Sequence, residues 1–453
     1  MSGVAVPGPA GGRMLREMFR IRTDPLHFLL DMAADYGDLV AFPVPRHAAL
    51  LVNHPDGVRR VLQSNHHGYD RDTMQYRTLS YVTGGGLLTA DGERWLRHRR
   101  LMQPAFHRKA VERIVEHTAR AVQRRVVAWE GAPSGTVVDV DEAMMHTALE
   151  VVGGALFSTD LSGEADRLVR AVLVALDEVI RRARNPLIPP PRVPTLGNRR
   201  LSRAVSTLDE SVTRMLGERV ELVRGVPIEE QPHDLLGMLL AAHDDEASFT
   251  ARELRDEIVT LIVAGHETVA SALTWTWYLL GSAPAVEERL HAELDAVLAG
   301  RLPTMADLDS LPFTRAVLDE ALRLYPPAWL ISRRATEDDV LLGHSVAAGS
   351  LVFLSPWVLH RHPDVWERPE VFDPDRFLAD GRGEAVERFA YVPFGAGPNL
   401  CIGRDFALLE AALVIAAVGS RYRFAPLRGH RVDAEPLVTI RPKGGLPMRL
   451  HPR

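Results

Sequence analysis

The ten residues 394–403, "FGAGPNLCIG", hold the only cysteine of a 453-residue chain, set among three glycines and a proline. A lone cysteine closes no internal disulfide, which fits a reducing cytoplasm. Gly395, Gly397 and Gly403 let the backbone approach something flat and large, or adopt positive φ. From Gly403 to about Ser420 the chain reads as an apolar helix, "GRDFALLEAALVIAAVGS". Cys401 therefore stands at the N-terminal edge of a helix, where N–H donors and the helix dipole stabilise a thiolate.

One thiolate with no second Cys or nearby His suits a single axial bond to haem iron better than zinc or an iron–sulfur cluster. On these residues alone the alternative stays open, because a lone buried cysteine is more often a small hydrophobe.

Composition narrows the class. The apolar fraction of 46% and charged fraction of 25% are those of a soluble globular protein. With net charge −6 and a pI near 6.3 the chain has no basic footprint for nucleic acid. Lys109 and Lys443 are the only lysines, so positive charge is nearly all arginine. No uninterrupted run of 18 apolar residues is long enough to span a membrane, and the start, "MSGVAVPGPAGGRM", lacks the pattern of a signal peptide. A cytoplasmic location is expected.

Residues 1–13 are expected to be loose, and 14–453 to form one large domain, mainly α with a small β-sheet. Strands are expected at 39–44, 48–53 and 346–355, so the sheet joins distant parts of the chain. The proline-rich stretch 184–200, "RNPLIPPPRVPTLGNRR", reads as a linker or as a loop over a binding site.

The longest element is a helix opened by a capping box, Thr250 with Glu253, and running to a stop at Gly281 and Pro284. Leu254, Ile258, Leu261, Gly265, Thr268 and Ala272 share one stripe of it. The middle of that stripe, "AGHET" (264–268), is small and polar where a core helix should be bulkiest. Close packing at Gly265, with Thr268 bonded one turn back, accounts for part of this. A functional groove would also account for Glu267.

Other chemistries fail on spacing. His266-Glu267 lacks the second His of a zinc-protease helix, since Ala270 stands four residues on. No dinucleotide fingerprint or P-loop follows a strand. A cysteine hydrolase would need a His partner for Cys401, which 18 histidines offer only by chance.

The loop Phe394-x-x-Gly397-x-x-x-Cys401-x-Gly403 resembles the haem-binding loop of the cytochrome P450 family, the haem-thiolate monooxygenases. Further landmarks follow in family order: "WLRHR" (95–99), "AGHET" (264–268), "EALR" (320–323) and "FDPDRF" (372–377). Glu-x-x-Arg alone is weak, since it recurs at Glu17/Arg20, Glu164/Arg167 and Glu178/Arg181, where a surface pair is the plainer reading.

The resemblance implies one P450 fold (α+β), with haem b (iron protoporphyrin IX) between the long central helix and the cysteine-loop helix. It makes Cys401 the axial ligand of the iron, with Phe394 against the thiolate and Gly395 and Gly403 in the haem loop. Trp95, Arg99 and Arg333 would donate to the haem propionates, although Arg334 could replace Arg333. Glu320, Arg323 and Arg376 would form a buried ion-pair network. Thr268 and Glu267 would deliver protons, and Gly265 would leave room for O2 and substrate. Because the acid–threonine pair is kept, O2-dependent hydroxylation is preferred over peroxide chemistry. Asn399 departs from the family pattern, which has Arg or His two residues before the cysteine.

Electrons are expected from a ferredoxin and a ferredoxin reductase acting on a monomer, with the basic run 97–109 as the docking patch. Residues 74–82, 327–331 and 438–440 are expected to line an apolar pocket for a small hydrophobic substrate. That substrate is expected to be a terpenoid of bacterial secondary metabolism, or alternatively a fatty acid. A non-catalytic haem sensor would share the cysteine loop but would not need Glu267 and Thr268.

Overall fold

A computed structural model of the chain describes residues 6–43, 48–106, 108–185, 187–227, 234–241, 249–378 and 388–453. The chain forms two compact units: Met1–Arg77 with Asp319–Cys401, and Thr78–Leu318 with Ile402–Arg453.

The first unit is built on a five-stranded sheet. Its strands are β1 (Leu39–Phe42), β2 (Ala49–Val52), β3 (Tyr69–Asp70), β5 (Ile331–Ala335) and β8 (Leu351–Leu354), in the order β1-β2-β8-β5-β3. β2 pairs parallel with β8, and the other neighbours are antiparallel. The hydrophobic alternation at 39–44 and 48–53 thus becomes two strands, joined to a third from far later in the chain. A hairpin of β6 (Asp339–Leu341) and β7 (His344–Val346) follows β5. Leu50, Val52, Val352 and Leu354 pack with Val61, Leu62, Phe389 and Val392 in one core, so the segment leading to the cysteine loop is anchored to the sheet.

Residues 1–5 lie outside the described residues. The rest of the segment expected to be loose is engaged. Pro7 O accepts a hydrogen bond from Ala41 N–H of β1 (2.8 Å), and Gly11 begins a helix to Thr23. Arg20 of that helix donates to Asp31 of the next (2.6 Å), a pairing that composition could not show.

The second unit centres on the helix Ala251–Ser282, opened by the capping box of Thr250 and Glu253. By length and composition it could cross a membrane, but 83% of its most apolar window is buried inside the protein. It packs on the helix Val140–Phe157, and also meets the helices Leu196–Val223 and Arg404–Gly419. β4 (Thr136–Asp139), β9 (Tyr422–Pro426) and β12 (Pro447–Pro452) form a sheet in the order β4-β12-β9. β10 (Ala434–Pro436) and β11 (Ile440–Pro442) form a hairpin.

The stretch 184–200 divides no domains. It joins the helix Ala165–Arg184 to Leu196–Val223 within this unit. Asn198 Nδ2 ties it down by donating to the carbonyls of Val193 (2.6 Å) and Pro190 (2.8 Å).

Candidate functional site

The cysteine loop is shaped by backbone geometry. Gly395 N–H donates to Val392 O, and Cys401 N–H donates to Phe394 O, each at 3.0 Å. Gly395 and Gly397 have φ of 71° and 66°, which an L side chain rarely adopts. A Cβ on Gly397 would stand 1.9 Å from Leu62 O, so this glycine admits the protein's own backbone; at Gly395 the nearest atom is Asn399 O at 3.9 Å. Gly403 caps the helix Arg404–Gly419, and Cys401 is exposed two residues before it. Phe394 is half-buried.

Behind the loop lies the Glu-x-x-Arg network. Glu320 and Arg323 are fully buried, and Arg323 donates to both carboxylate oxygens (2.7 and 2.8 Å). Arg376 stands 3.5 Å from Glu320, and Asp373 N–H donates to it (2.9 Å). Burial pushes the Glu320 carboxyl upward and the hydrogen bonds of Arg323 oppose this. The other Glu-x-x-Arg pairs, at Glu17/Arg20, Glu164/Arg167, Glu178/Arg181 and also Glu221/Arg224, each have at least one partner substantially exposed.

Arg323 also reaches the loop through a residue that no sequence signal marked. It donates to His360 O (2.8 Å), and His360 Nε2 accepts from Val392 N–H (2.9 Å). The accepting Nε2 places the ring proton on Nδ1, facing Arg323 O at 3.2 Å. Burial holds His360 at about 3, hence neutral. The ion-pair network thus braces the turn that positions Cys401.

Arg333 and Arg334 separate by strand alternation. Arg334 faces Asp70 and Asp72 near the surface. Arg333 is buried, donating to Tyr76 Oη (3.0 Å) and Ser332 O (2.9 Å). Arg71, also buried, lies 5.8 Å from the same Tyr76 ring, as does Arg333. Arg71 Nη2 donates to Asn399 Oδ1 at 2.5 Å. Sequence reading missed Arg71, whose only cue was the departure at Asn399. An exposed thiol at a helix N-terminus beside two buried guanidiniums is a donor set that fits a haem with its two carboxylates.

On the central helix, Ala264, Gly265 and Thr268 are half-exposed while His266, Glu267, Val269 and Ala270 are buried. The small residues therefore form a shallow open face. A Cβ on Gly265 would meet Val152 Cγ2 at 2.9 Å, so close helix packing is part of the reason for this glycine. Thr268 Oγ1 donates to Ala264 O (2.7 Å). Glu267 points elsewhere, accepting from Thr439 Oγ1 (3.0 Å). Its carboxyl is pushed up to about 7 by burial, against Arg441 and Thr439.

Trp95 and Arg99 are half-buried on the helix Gly92–Met102. Between them, Arg97 and His98 bind Glu253 and Glu257 of the central helix. The expected basic patch is therefore partly neutralised. Arg100 is exposed, while His107 and the side chains of Arg108 and Lys109 lie outside the described residues.

Comparison with known proteins bears on the family and the fold. The family model described as Cytochrome P450 matches residues 6–446. Cyclooctat-9-en-7-ol 5-monooxygenase of Streptomyces melanosporofaciens is 37% identical over 95% of this chain and 91% of the relative. Pentalenene oxygenase of Streptomyces avermitilis is 34% identical over 99% and 96%. The crystal structure of CYP175A1 from Thermus thermophillus superimposes with a TM-score of 0.75 at 31% identity, covering 98% of this chain and all of that one.

Proposed function

This chain belongs to the cytochrome P450 family, and from that premise we propose that it hydroxylates a small terpenoid, with Cys401 as the thiolate ligand of a haem b. As a P450 it is a monooxygenase that uses haem, O2 and electrons from redox partners. The observation that carries the site is the exposure of the only thiol on a loop braced by backbone bonds and by His360.

When bound, haem supplies the iron at which O2 is reduced and one oxygen atom reaches a C–H bond; thiolate donation favours O–O cleavage. The chain's own residues then have these roles. Cys401, at a helix N-terminus, is stabilised as thiolate. Phe394 packs beside it, and Gly395 and Gly403 shape the loop. Trp95, Arg99 and Arg333 would hold the propionates, and Arg71 would add the positive charge that Asn399 lacks. Glu320, Arg323 and Arg376 brace the fold.

The Thr268 hydroxyl proton is committed to Ala264 O, so its lone pairs are left to accept a hydrogen bond from a donor on the open face of the helix. Glu267, close to half-ionised near neutral pH, takes a proton from water and passes it on.

Two relatives named for an unsaturated hydrocarbon, pentalenene, and an unsaturated alcohol, cyclooctat-9-en-7-ol, support a terpenoid substrate. We place residues 14–453 in a single P450 domain, monomeric and cytoplasmic, reduced by a ferredoxin and its reductase.

The test is the reduced, carbon-monoxide-bound spectrum, where a strongly red-shifted Soret band is expected and its absence in haem-loaded protein overturns thiolate ligation. Terpene hydrocarbons and alcohols should then shift the spin state; a response to fatty acids alone overturns the terpenoid assignment.

A further inference from the structure

Three side chains of the central helix, Glu267, Ser271 and Trp275, stand at i, i+4 and i+8 on one face. All three bind the strand entry at 439–440. Ser271 Oγ (2.6 Å) and Trp275 Nε1 (3.0 Å) both donate to Ile440 O, while Thr439 Oγ1 donates to Glu267 Oε1 at 3.0 Å. Thr439 and Glu267 are both fully buried, so the partner of the acid is set by packing and not by solvent. The clamp on Ile440 O fixes the register, which keeps the Thr439 hydroxyl opposite the carboxyl.

We propose that Thr439 is a positioning residue for proton delivery, its hydroxyl holding Glu267 Oε1 and favouring the ionised acid. The proposal rests on the monooxygenase reading, in which Glu267 serves Thr268. With the Thr268 proton committed to Ala264 O, the proton must come from Glu267. A bond that occupies Oε1 leaves Oε2 to carry it. Loss of that bond would let the carboxyl rotate and would favour its neutral form.

The charged groups around Glu267 come from three elements. Arg441 of β11 favours the ionised form, and is itself held by Asp141 of the helix Val140–Phe157. Asp141 opposes ionisation. His146 stands on the same helix as Asp141, and acts on His266. His266, on the central helix, is kept neutral by burial, with Nδ1 bonded to Ile262 O (2.6 Å). Thr439 carries no charge and hydrogen-bonds Glu267 directly, so its substitution changes one hydrogen bond and no net charge.

The test uses the haem-loaded enzyme with Thr439→Val, Thr439→Ser and Glu267→Gln. Infrared pH titration follows the carbonyl stretch of the protonated Glu267 carboxyl, assigned as the band missing in Glu267→Gln. The midpoint is expected to rise by roughly one pH unit in Thr439→Val, as for loss of one hydrogen bond to a charged group. Thr439→Ser, which keeps the hydroxyl, should titrate with the parent. The pH profile of product formed per O2 consumed should move in the same direction. A Thr439→Val midpoint equal to the parent's overturns the proposal. The underlying reading fails separately, if Glu267→Gln leaves product per O2 unchanged at every pH.

Discussion

Arg71 and Asn399, 328 residues apart in sequence, meet in a 2.5 Å hydrogen bond from Nη2 to Oδ1. Asn399 is the one position of the cysteine loop that departs from the family pattern, and Arg71 brings to it the cation that the pattern would supply. Arg71 is nearly buried and shares the Tyr76 ring with Arg333.

Arg71→Ala should therefore release haem about 10- to 100-fold faster, the range expected for one charge-assisted hydrogen bond. Transfer of haem to an apo-globin measures this without reference to turnover. Asn399→Arg in the Arg71→Ala background should recover most of the loss. A release rate unchanged in Arg71→Ala would mean the guanidinium does not face the propionates.

The two loop glycines should respond differently. Gly397→Ala combines positive φ with a Cβ 1.9 Å from the Leu62 carbonyl, and backbone cannot move aside cheaply. Haem retention should be lost. Gly395→Ala meets no atom nearer than 3.9 Å and carries only the strain of its φ, about 1–2 kcal/mol. It should load haem, with a modestly lower melting temperature. Equal behaviour of the two variants would contradict the packing of this loop on residues 60–64.

Glu320→Gln should destabilise the protein by about 3–5 kcal/mol, because Arg323 and Arg376 would be left buried without their shared anion. Urea unfolding of the parent and variant apo-proteins measures the difference. The variant's reduced carbon-monoxide spectrum, if haem still loads, should keep its red shift, since Glu320 braces the loop and does not ligate. A loss below about 1 kcal/mol would show that the network is solvated in solution.

Glu410, in the helix after Cys401, is fully buried, and neither oxygen has a hydrogen-bond partner among the described residues. Burial holds its carboxyl well above the usual range. Below about pH 4 the acid is neutral in both folded and unfolded chains. As pH rises past that value the unfolded chain ionises while the folded one keeps its proton, which erodes stability by about 1.4 kcal/mol per unit until the folded pKa is reached. Glu410→Gln removes this term, so its melting temperature should gain on the parent as pH rises from about 5 towards neutral. A constant difference across that range would mean that Glu410 is ionised in the fold.

The fold and the site were legible wherever the signal is local. The helix after Cys401, the capping box of Thr250 with Glu253, and the alternating strands near 40 and 50 follow from periodicity and end chemistry that neighbours in sequence supply. The motif residues Cys401, Glu320, Arg323 and Arg376 were marked by the family resemblance and not by spacing alone, and the structure brings the last three into one network. What sequence left open was the meaning of single letters. Gly397 is a glycine because Leu62 O lies against it, Asn399 is bonded by Arg71, and His360 bridges Arg323 to Val392. Thr439 finds Glu267 from 172 residues away. None of these pairs has a sequence period, because each partner is delivered by sheet register or helix packing. Local propensity decided the elements and the thiol's place at a helix start; only the tertiary fold decided which buried charge or carbonyl each site residue faces.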